Sequence, residues 1–399
     1  MIAAMKYILF AAAIAMFASA CSAPAPAPIP ESPATDTEIR IVDTSSWLNE
    51  QIKTAHTRND LIAIGAVYAT SDGIQAVAVT GSRRNDYEDP VQLTDAWHLG
   101  SNTKALTALL YARLVDQGKA EWSASLPDLF PDLASAMSPE WTNVTIKDLF
   151  AHNSGVGQLN GLWLIARRSD ETTPSQQRTE TARTTLSAPP TGTYGRFEYS
   201  NLNYIIAGAA IERILSEDSD HPVSWEEGMQ ALIFAALPDQ RTREGWGFGP
   251  PTSGLEGHRK NLLQQLKPIG TGPTADNPVA LGPAGTLHAP LEAYALFATE
   301  FLRGDSTLIP AATREILWTP YPNPNSTYAM GWGVLDHPEY GRIYTHNGSN
   351  TMWLSSIMIA PDLDLVAIVN LNQFDPNLMS VSQTILAEIL KKVSADQAN

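Results

Sequence analysis

Residues 97–118 constrain this chain more than any other stretch. They run Trp97-His98-Leu99-Gly100-Ser101-Asn102-Thr103-Lys104 and continue to Gly118. Leu106, Leu109, Leu110 and Leu114 recur at helical spacing. Gly118 stands where a glycine closes a helix. The pattern predicts a buried helix with Ser101 in its first turn and Lys104 one turn on. Residues i and i+3 share a helix face, so the hydroxyl and the amine meet. The unpaired N–H groups and positive dipole end of a helix start favour an alkoxide. A lysine desolvated against apolar core has a lowered pKa and can take the serine proton. Lys104 is the only lysine with a serine three residues before it. A serine at a helix start is ordinarily just an N-cap, so the chemistry of Ser101 depends on partners elsewhere in the chain.

With 399 residues, 44% of them hydrophobic and 17% charged, the chain has material for one large domain or two, with a substantial core. A net charge of −16 argues against nucleic acid as a partner. In residues 1–20, Lys6 is the only charge and Tyr7 to Ala20 is apolar. That is signal-peptide length and too short to span a bilayer. The run ends in Ala18-Ser19-Ala20-Cys21, and Cys21 is the only cysteine, so no disulfide forms within the monomer. The junction resembles a bacterial lipobox, with Ala18 where such motifs prefer leucine. That resemblance implies lipid attachment at Cys21 and a membrane-anchored lipoprotein of the cell envelope, on the periplasmic face. Ser22 points, by similarity to sorting patterns, to the outer membrane. Residues 22–36 are rich in Ala and Pro and predict an extended tether.

A helix is expected at Ser45 to His56. The β-rich runs Leu61–Thr70 and Ile74–Gly81 follow, joined by Ser71-Asp72-Gly73 as a hairpin. Residues 82–96 read as loop. Thr145-Ile146-Lys147-Asp148 is a capping-box start, and a second good helix spans Leu202 to Leu215. Residues 239–282, rich in Gly, Pro and polar side chains, show no period that places them. Ala293 to Arg303 is helical by period, and Leu378 to Val393 is an amphipathic terminal helix. Met330–Leu335, Arg342–His346, Trp353–Ala360 and Leu363–Leu371 read as strands. Strands at both chain ends and helices between them predict an α+β fold: one antiparallel sheet built from both ends, flanked by helices, with a mainly helical insertion. The expected division is a signal at 1–20, anchor and tether at 21–43, and one domain at 44–394. Within that domain the sheet part is about 44–100 and 283–394, and the helical part about 101–282.

Acyl transfer needs a nucleophile, a base, a proton donor for the leaving atom and donors for the oxyanion. Tyr199-Ser200-Asn201 precedes the second helix. Tyr199 near Lys104 can act as phenolate or proton shuttle, and Asn201 can hold a substrate amide. His346-Asn347-Gly348-Ser349 ends a predicted strand, where Gly348 lets a substrate backbone approach. The N–H groups of Ser349 and Ser101 are candidate oxyanion donors, each worth roughly 3 kcal/mol of barrier. Tyr321-Pro322-Asn323 and His98-Leu99-Gly100 match the shorter patterns too, so neither motif is specific alone. Trp163, Tyr194 and Trp353 are candidates to line a cleft, though each reads more simply as core or support. The eight histidines contain no His-Glu-x-x-His and no close cluster with carboxylates, and no Gly-x-Ser-x-Gly occurs. Neither a metal nor another cofactor is called for.

Taken in order, Ser101-x-x-Lys104, Tyr199-Ser200-Asn201 and His346-x-Gly348 resemble the class C β-lactamase-like serine hydrolases, a group of β-lactamases, D-Ala-D-Ala peptidases and carboxylesterases. Leu114 to Lys119, Ile146 to Gly155, Pro189 to Gly192 and Gly331-Trp332-Gly333 agree with it. The resemblance covers roughly residues 45–392. It implies a sheet flanked by helices with a helical domain across the cleft, Ser101 as nucleophile, Lys104 and Tyr199 as acid/base pair, and Asn201, His346 and Gly348 as site residues. The implied substrate is a small-molecule or peptidoglycan-like ester or amide. β-Lactamases of this kind carry Lys-Thr-Gly on the late strand. Here His346 stands there, with an unperturbed pKa of about 6.5, so a fixed cation for a substrate carboxylate is not assured. Ser349 stands where many relatives have a smaller residue. These departures rank carboxylesterase or general ester/amide hydrolase first, D-Ala-D-Ala peptidase second and true β-lactamase third. A binding protein that keeps the fold without the chemistry is the alternative from another class.

Overall fold

The computed structural model describes residues 45–86 and 88–398. The signal-like segment, Cys21 and the tether lie outside the described residues. After α1 (Ser45–Arg58), β1 (Ala63–Thr70) and β2 (Gly73–Gly81) form the expected hairpin, closed at Gly73 with φ +121°. Chain order continues with β3 (Ala96–His98), α2 (Thr103–Asp116), β4 (Gly247–Phe248), β5 (His258–Lys260), β6 (Leu266–Pro268) and β7 (Leu287–Pro290). The last strands are β8 (Gly333–His337), β9 (Gly341–Ser349), β10 (Leu354–Ala360) and β11 (Leu365–Leu371), before the terminal helix Leu378–Gln397.

The main sheet runs β2-β1-β11-β10-β9-β8, and its neighbouring strands pair antiparallel throughout. The two chain ends meet at β1–β11, where Val67 faces Ile368. Strand β11 is buried at every residue because both of its faces are covered. Leu365, Ala367, Val369 and Leu371 pack with Leu48 and Ile52 of α1 and Ile385 and Ile389 of the terminal helix. Val366 and Ile368 pack into the larger cluster that holds α2. The period of two along a strand divides these side chains between the two cores.

Residues 239–282 contribute what periodicity does not show. β4 joins β3 and β7 in a second antiparallel sheet of order β3-β7-β4, and β5 pairs with β6. Strands of two or three residues are too short to reveal an alternation, and they form because partners distant in sequence accept them.

Arg178 is buried in the helix Pro174–Leu186. It bonds Glu212 of the helix Asn201–Ser216 and Glu226 of the helix Trp225–Met229, the latter through Nη2 at 2.7 Å and Nη1 at 3.0 Å. Its Nη1 also donates to the Val279 carbonyl at 3.3 Å, on the approach to the short helix Gly282–Gly285. Arg178→Ala leaves Glu212 buried without its cation. We expect about 3–5 kcal/mol loss of unfolding free energy, measured by urea titration; a loss below about 1 kcal/mol would contradict this account of the triad.

Candidate active site

Ser101 lies in a single 3₁₀ turn, Gly100–Asn102, and α2 begins at Thr103. The serine therefore sits just before the helix, not within its first turn as expected. Gly100 is the cause: its φ is +52°, a left-handed conformation that breaks regular helix there. A Cβ on Gly100 would stand 2.4 Å from the Ser349 nitrogen, and one on Gly348 would stand 1.9 Å from the Leu99 carbonyl oxygen. Two glycines thus let the Ser101 turn and the end of β9 touch backbone to backbone. Thr103 Oγ1 donates to the Gly100 carbonyl at 2.7 Å. That bond fixes the plane of the Gly100–Ser101 peptide, and the Ser101 N–H points the opposite way across a trans unit.

Lys104 is fully buried on α2, and its Nζ has three oxygen neighbours. They are Ser101 Oγ at 3.1 Å, Asn201 Oδ1 at 2.7 Å and the Ala284 carbonyl at 2.6 Å. Desolvation holds its pKa well below the usual lysine value. The amide and carbonyl oxygens can only accept. A neutral amine therefore spends its two N–H bonds on Asn201 and Ala284 and turns its lone pair toward the Ser101 hydroxyl.

Tyr199 closes the other side. Burial pushes its pKa up to about 12, against a hydrogen bond with Ser101 that lowers it. It is held as a phenol at neutral pH, so of the two roles left open by sequence the proton shuttle fits better than the phenolate. Its ring lies 5.0 Å from Lys104 Nζ and 4.3 Å from the His152 ring. Asn201 opens the 201–216 helix, whose N-cap is Ser200. Its Oδ1 accepts from Lys104 Nζ at 2.7 Å.

His346 is buried on β9, and both ring nitrogens are engaged. Nδ1 lies 3.2 Å from Asn102 Oδ1, and Nε2 lies 3.0 Å from the Tyr328 hydroxyl. Asn102 Nδ2 donates to Ser355 Oγ at 2.9 Å, so Asn102 Oδ1 is the acceptor. The proton then sits on His346 Nδ1, and Tyr328 donates to Nε2. Burial, the largest cause, pushes the His346 pKa down to about 3. Gly348 and Ser349 lie against the Ser101 turn; the Ser349 hydroxyl accepts from the Thr351 N–H at 2.9 Å. Trp353 packs as core, with its ring 6.2 Å from that of Trp97. Trp163 is half-buried on the helix Gly161–Arg168, and the Tyr194 hydroxyl donates to the Asn143 carbonyl.

Three residues around the site are not singled out by motif. Asn102 sits inside Ser-x-x-Lys but contacts β9 and β10 rather than Lys104. Tyr328 has no spacing relation that marks it among twelve tyrosines. His152 is visible in the sequence only as part of a flanking motif; its φ is +59°, an uncommon left-handed conformation for a residue with a side chain. Its Nδ1 faces the Ser200 N–H and Asn203 Nδ2, and burial holds its pKa well below the usual value.

These histidines set an acid dependence of stability. Below pH about 6.5 the unfolded chain binds protons that the folded chain refuses, so stability falls as pH drops from about 6.5 toward the folded value. For His346 that window runs down to about 3. We expect unfolding free energy to drop by about 1 kcal/mol for each of His152 and His346 between pH 7 and 5.5. Urea midpoints equal at both pH values would contradict it.

The beta-lactamase family model matches residues 56–390. The chain is 25% identical over 306 residues to the "Unguisins hydrolase ungD'" of Aspergillus campestris, covering 69% of this chain and 52% of that one. It spans about half the length of that relative and of the "Protein flp" of Staphylococcus aureus, and about a third of two fimbrial assembly proteins of Dichelobacter nodosus. The class C beta lactamase from Rhodobacter sphaeroides superposes with a TM-score of 0.67 at 18% identity, covering 87% of this chain and all of that one. A D-stereospecific amidohydrolase from Streptomyces superposes at 0.62 with 18% identity, covering 82% and 94%. At such identities these structures show the fold, which is β-lactamase/transpeptidase-like and α+β.

Proposed function

The chain belongs to the beta-lactamase family, and from that premise we propose that it is a serine hydrolase acting on a neutral ester or amide through an acyl-enzyme on Ser101. One observation carries the reading: Lys104 Nζ, buried and committed to two carbonyl-type oxygens, meets Ser101 Oγ at 3.1 Å. The amine takes the hydroxyl proton as Oγ bonds to the substrate carbonyl carbon. The oxyanion forms against the N–H groups of Ser101 and Ser349. The proton passes through Tyr199 to the leaving oxygen or nitrogen as its bond to carbon breaks. Water then repeats the sequence on the acyl-enzyme, and Ser101 regains its proton. Asn201 Nδ2 is placed to hold a substrate carbonyl.

The neutral-substrate preference rests on His346. Its ring is uncharged at neutral pH and both nitrogens are spent within the protein. It offers no cation to a substrate carboxylate, which keeps ester or amide hydrolase ahead of D-Ala-D-Ala peptidase and β-lactamase. The test is intact mass and turnover with p-nitrophenyl butyrate and with benzylpenicillin. We expect ester turnover, with an acyl adduct trapped on Ser101, and little change in the penicillin. Faster consumption of penicillin than of ester would overturn the substrate preference. Failure of a fluorophosphonate to label Ser101 would overturn the hydrolase reading itself.

A further inference from the structure

We propose that His98, Asp276 and Asn350 form a tautomer-locked positioning network that holds the Ser101 turn and the Ser349 end of β9 in register, a role that rests on the hydrolase reading above. All three side chains are buried, and the mechanism uses none of them. The Gly100 N–H donates to His98 Nδ1 at 3.0 Å, so that nitrogen carries the lone pair. The ring proton sits on Nε2 and is donated to Asp276 Oδ2 at 2.8 Å. Asp276 Oδ1 accepts from Asn350 Nδ2 at 2.8 Å and from the Asn277 N–H at 2.7 Å. Asn350 Oδ1 accepts from the Met352 N–H at 3.2 Å, which fixes the direction of its amide.

The network joins the two pieces of backbone assigned to the oxyanion. Gly100 immediately precedes Ser101, and Asn350 immediately follows Ser349. Gly100 is gripped at both ends, its N–H by His98 and its carbonyl by Thr103. With φ at +52° and no side chain of its own, Gly100 depends on those two bonds to hold one conformation. A shift there moves the Ser101 N–H, and a donor displaced from an oxyanion loses most of its effect on rate.

The Asp276→Asn variant tests this at nearly constant shape. Asn350 and Asn277 still donate to the Oδ1 position, so the new NH₂ occupies the Oδ2 position and donates to His98 Nε2. The ring must then carry its proton on Nδ1, which opposes the Gly100 N–H. We expect kcat for the neutral ester to fall on the order of tenfold to a hundredfold, with KM within about twofold. In a His98→Asn background, the amide oxygen introduced in place of the ring accepts from Gly100 whatever stands at 276, so Asp276→Asn should then cost nothing further. Equal losses in both backgrounds would overturn the proposal.

The ring tautomer is read separately from ¹⁵N shifts of labelled native protein, with the His98 signal assigned by its disappearance in His98→Asn. An Nε2–H ring supports the network even if a fluorophosphonate fails to label Ser101 of the native chain, a result that would sink the hydrolase reading alone. An Nδ1–H ring in the native protein overturns the network, whatever the variants do.

Discussion

Ser101→Ala is expected to lower ester turnover by about four orders of magnitude or more, while the unfolding midpoint stays near that of the native chain. The two effects separate because of what the hydroxyl touches. Its neighbours are Lys104 Nζ and the Tyr199 hydroxyl, groups arranged for proton transfer rather than for packing. Lys104 keeps Asn201 Oδ1 and the Ala284 carbonyl when the serine oxygen is removed. Loss of one partly exposed hydrogen bond costs about 1 kcal/mol or less. Turnover has no such reserve, since in the proposed mechanism every covalent step passes through Oγ. The check is the rate with p-nitrophenyl butyrate alongside a thermal melt. A variant that keeps more than a tenth of native turnover would rule out the acyl-enzyme on Ser101, and an unfolded variant would show that the hydroxyl is structural.

Lys104→Met is expected to reduce kcat by about a thousandfold. Methionine matches the stem but removes the base. Lys104→Arg should be equally inactive, because guanidinium does not release its proton. The pH profile carries the diagnostic. Desolvation depresses the folded pKa of Lys104 below 10.5. Catalysis needs the free amine, so kcat/KM should fall on the acid side as pH drops through that depressed value. Stability moves the same way. Between the folded value and 10.5, the unfolded chain holds a proton that the folded chain rejects, so this group destabilises the fold near neutral pH and less so as pH rises toward 10.5. Lys104→Met should remove that slope between the depressed value and 10.5. Retention of a tenth of the native rate, or an unchanged acid limb in residual activity, would assign the base elsewhere.

Both variants address a pair that is local in sequence, and that locality is why it can be read from the chain alone. A helix start followed by residues at i and i+3 fixes which side chains meet, and the apolar period of 106–114 says the helix is buried. The hairpin of β1 and β2, the 201–216 helix, the late strands and the terminal helix are legible for the same reason. Each declares itself within a window of ten or so residues. The α+β layout follows from where apolar strand-like runs lie along the chain.

What surrounds the pair is decided elsewhere. The Ala284 carbonyl that holds Lys104 is 180 residues away, and Asn102 meets His346 across 244. Contacts of that kind depend on the register of β9 against the Ser101 turn, where a slip of one residue would turn His346 to the opposite face. Tyr328 and the His98–Asp276–Asn350 network are invisible for the same reason, and the short strands β4 to β6 have too few residues to show a period. The charge state of His346 is the clearest case. Residue type alone leaves it near the middle of the physiological range. Only its burial beside Asn102 and Tyr328 makes it neutral, because desolvation is a property of the packed fold and not of any stretch of chain.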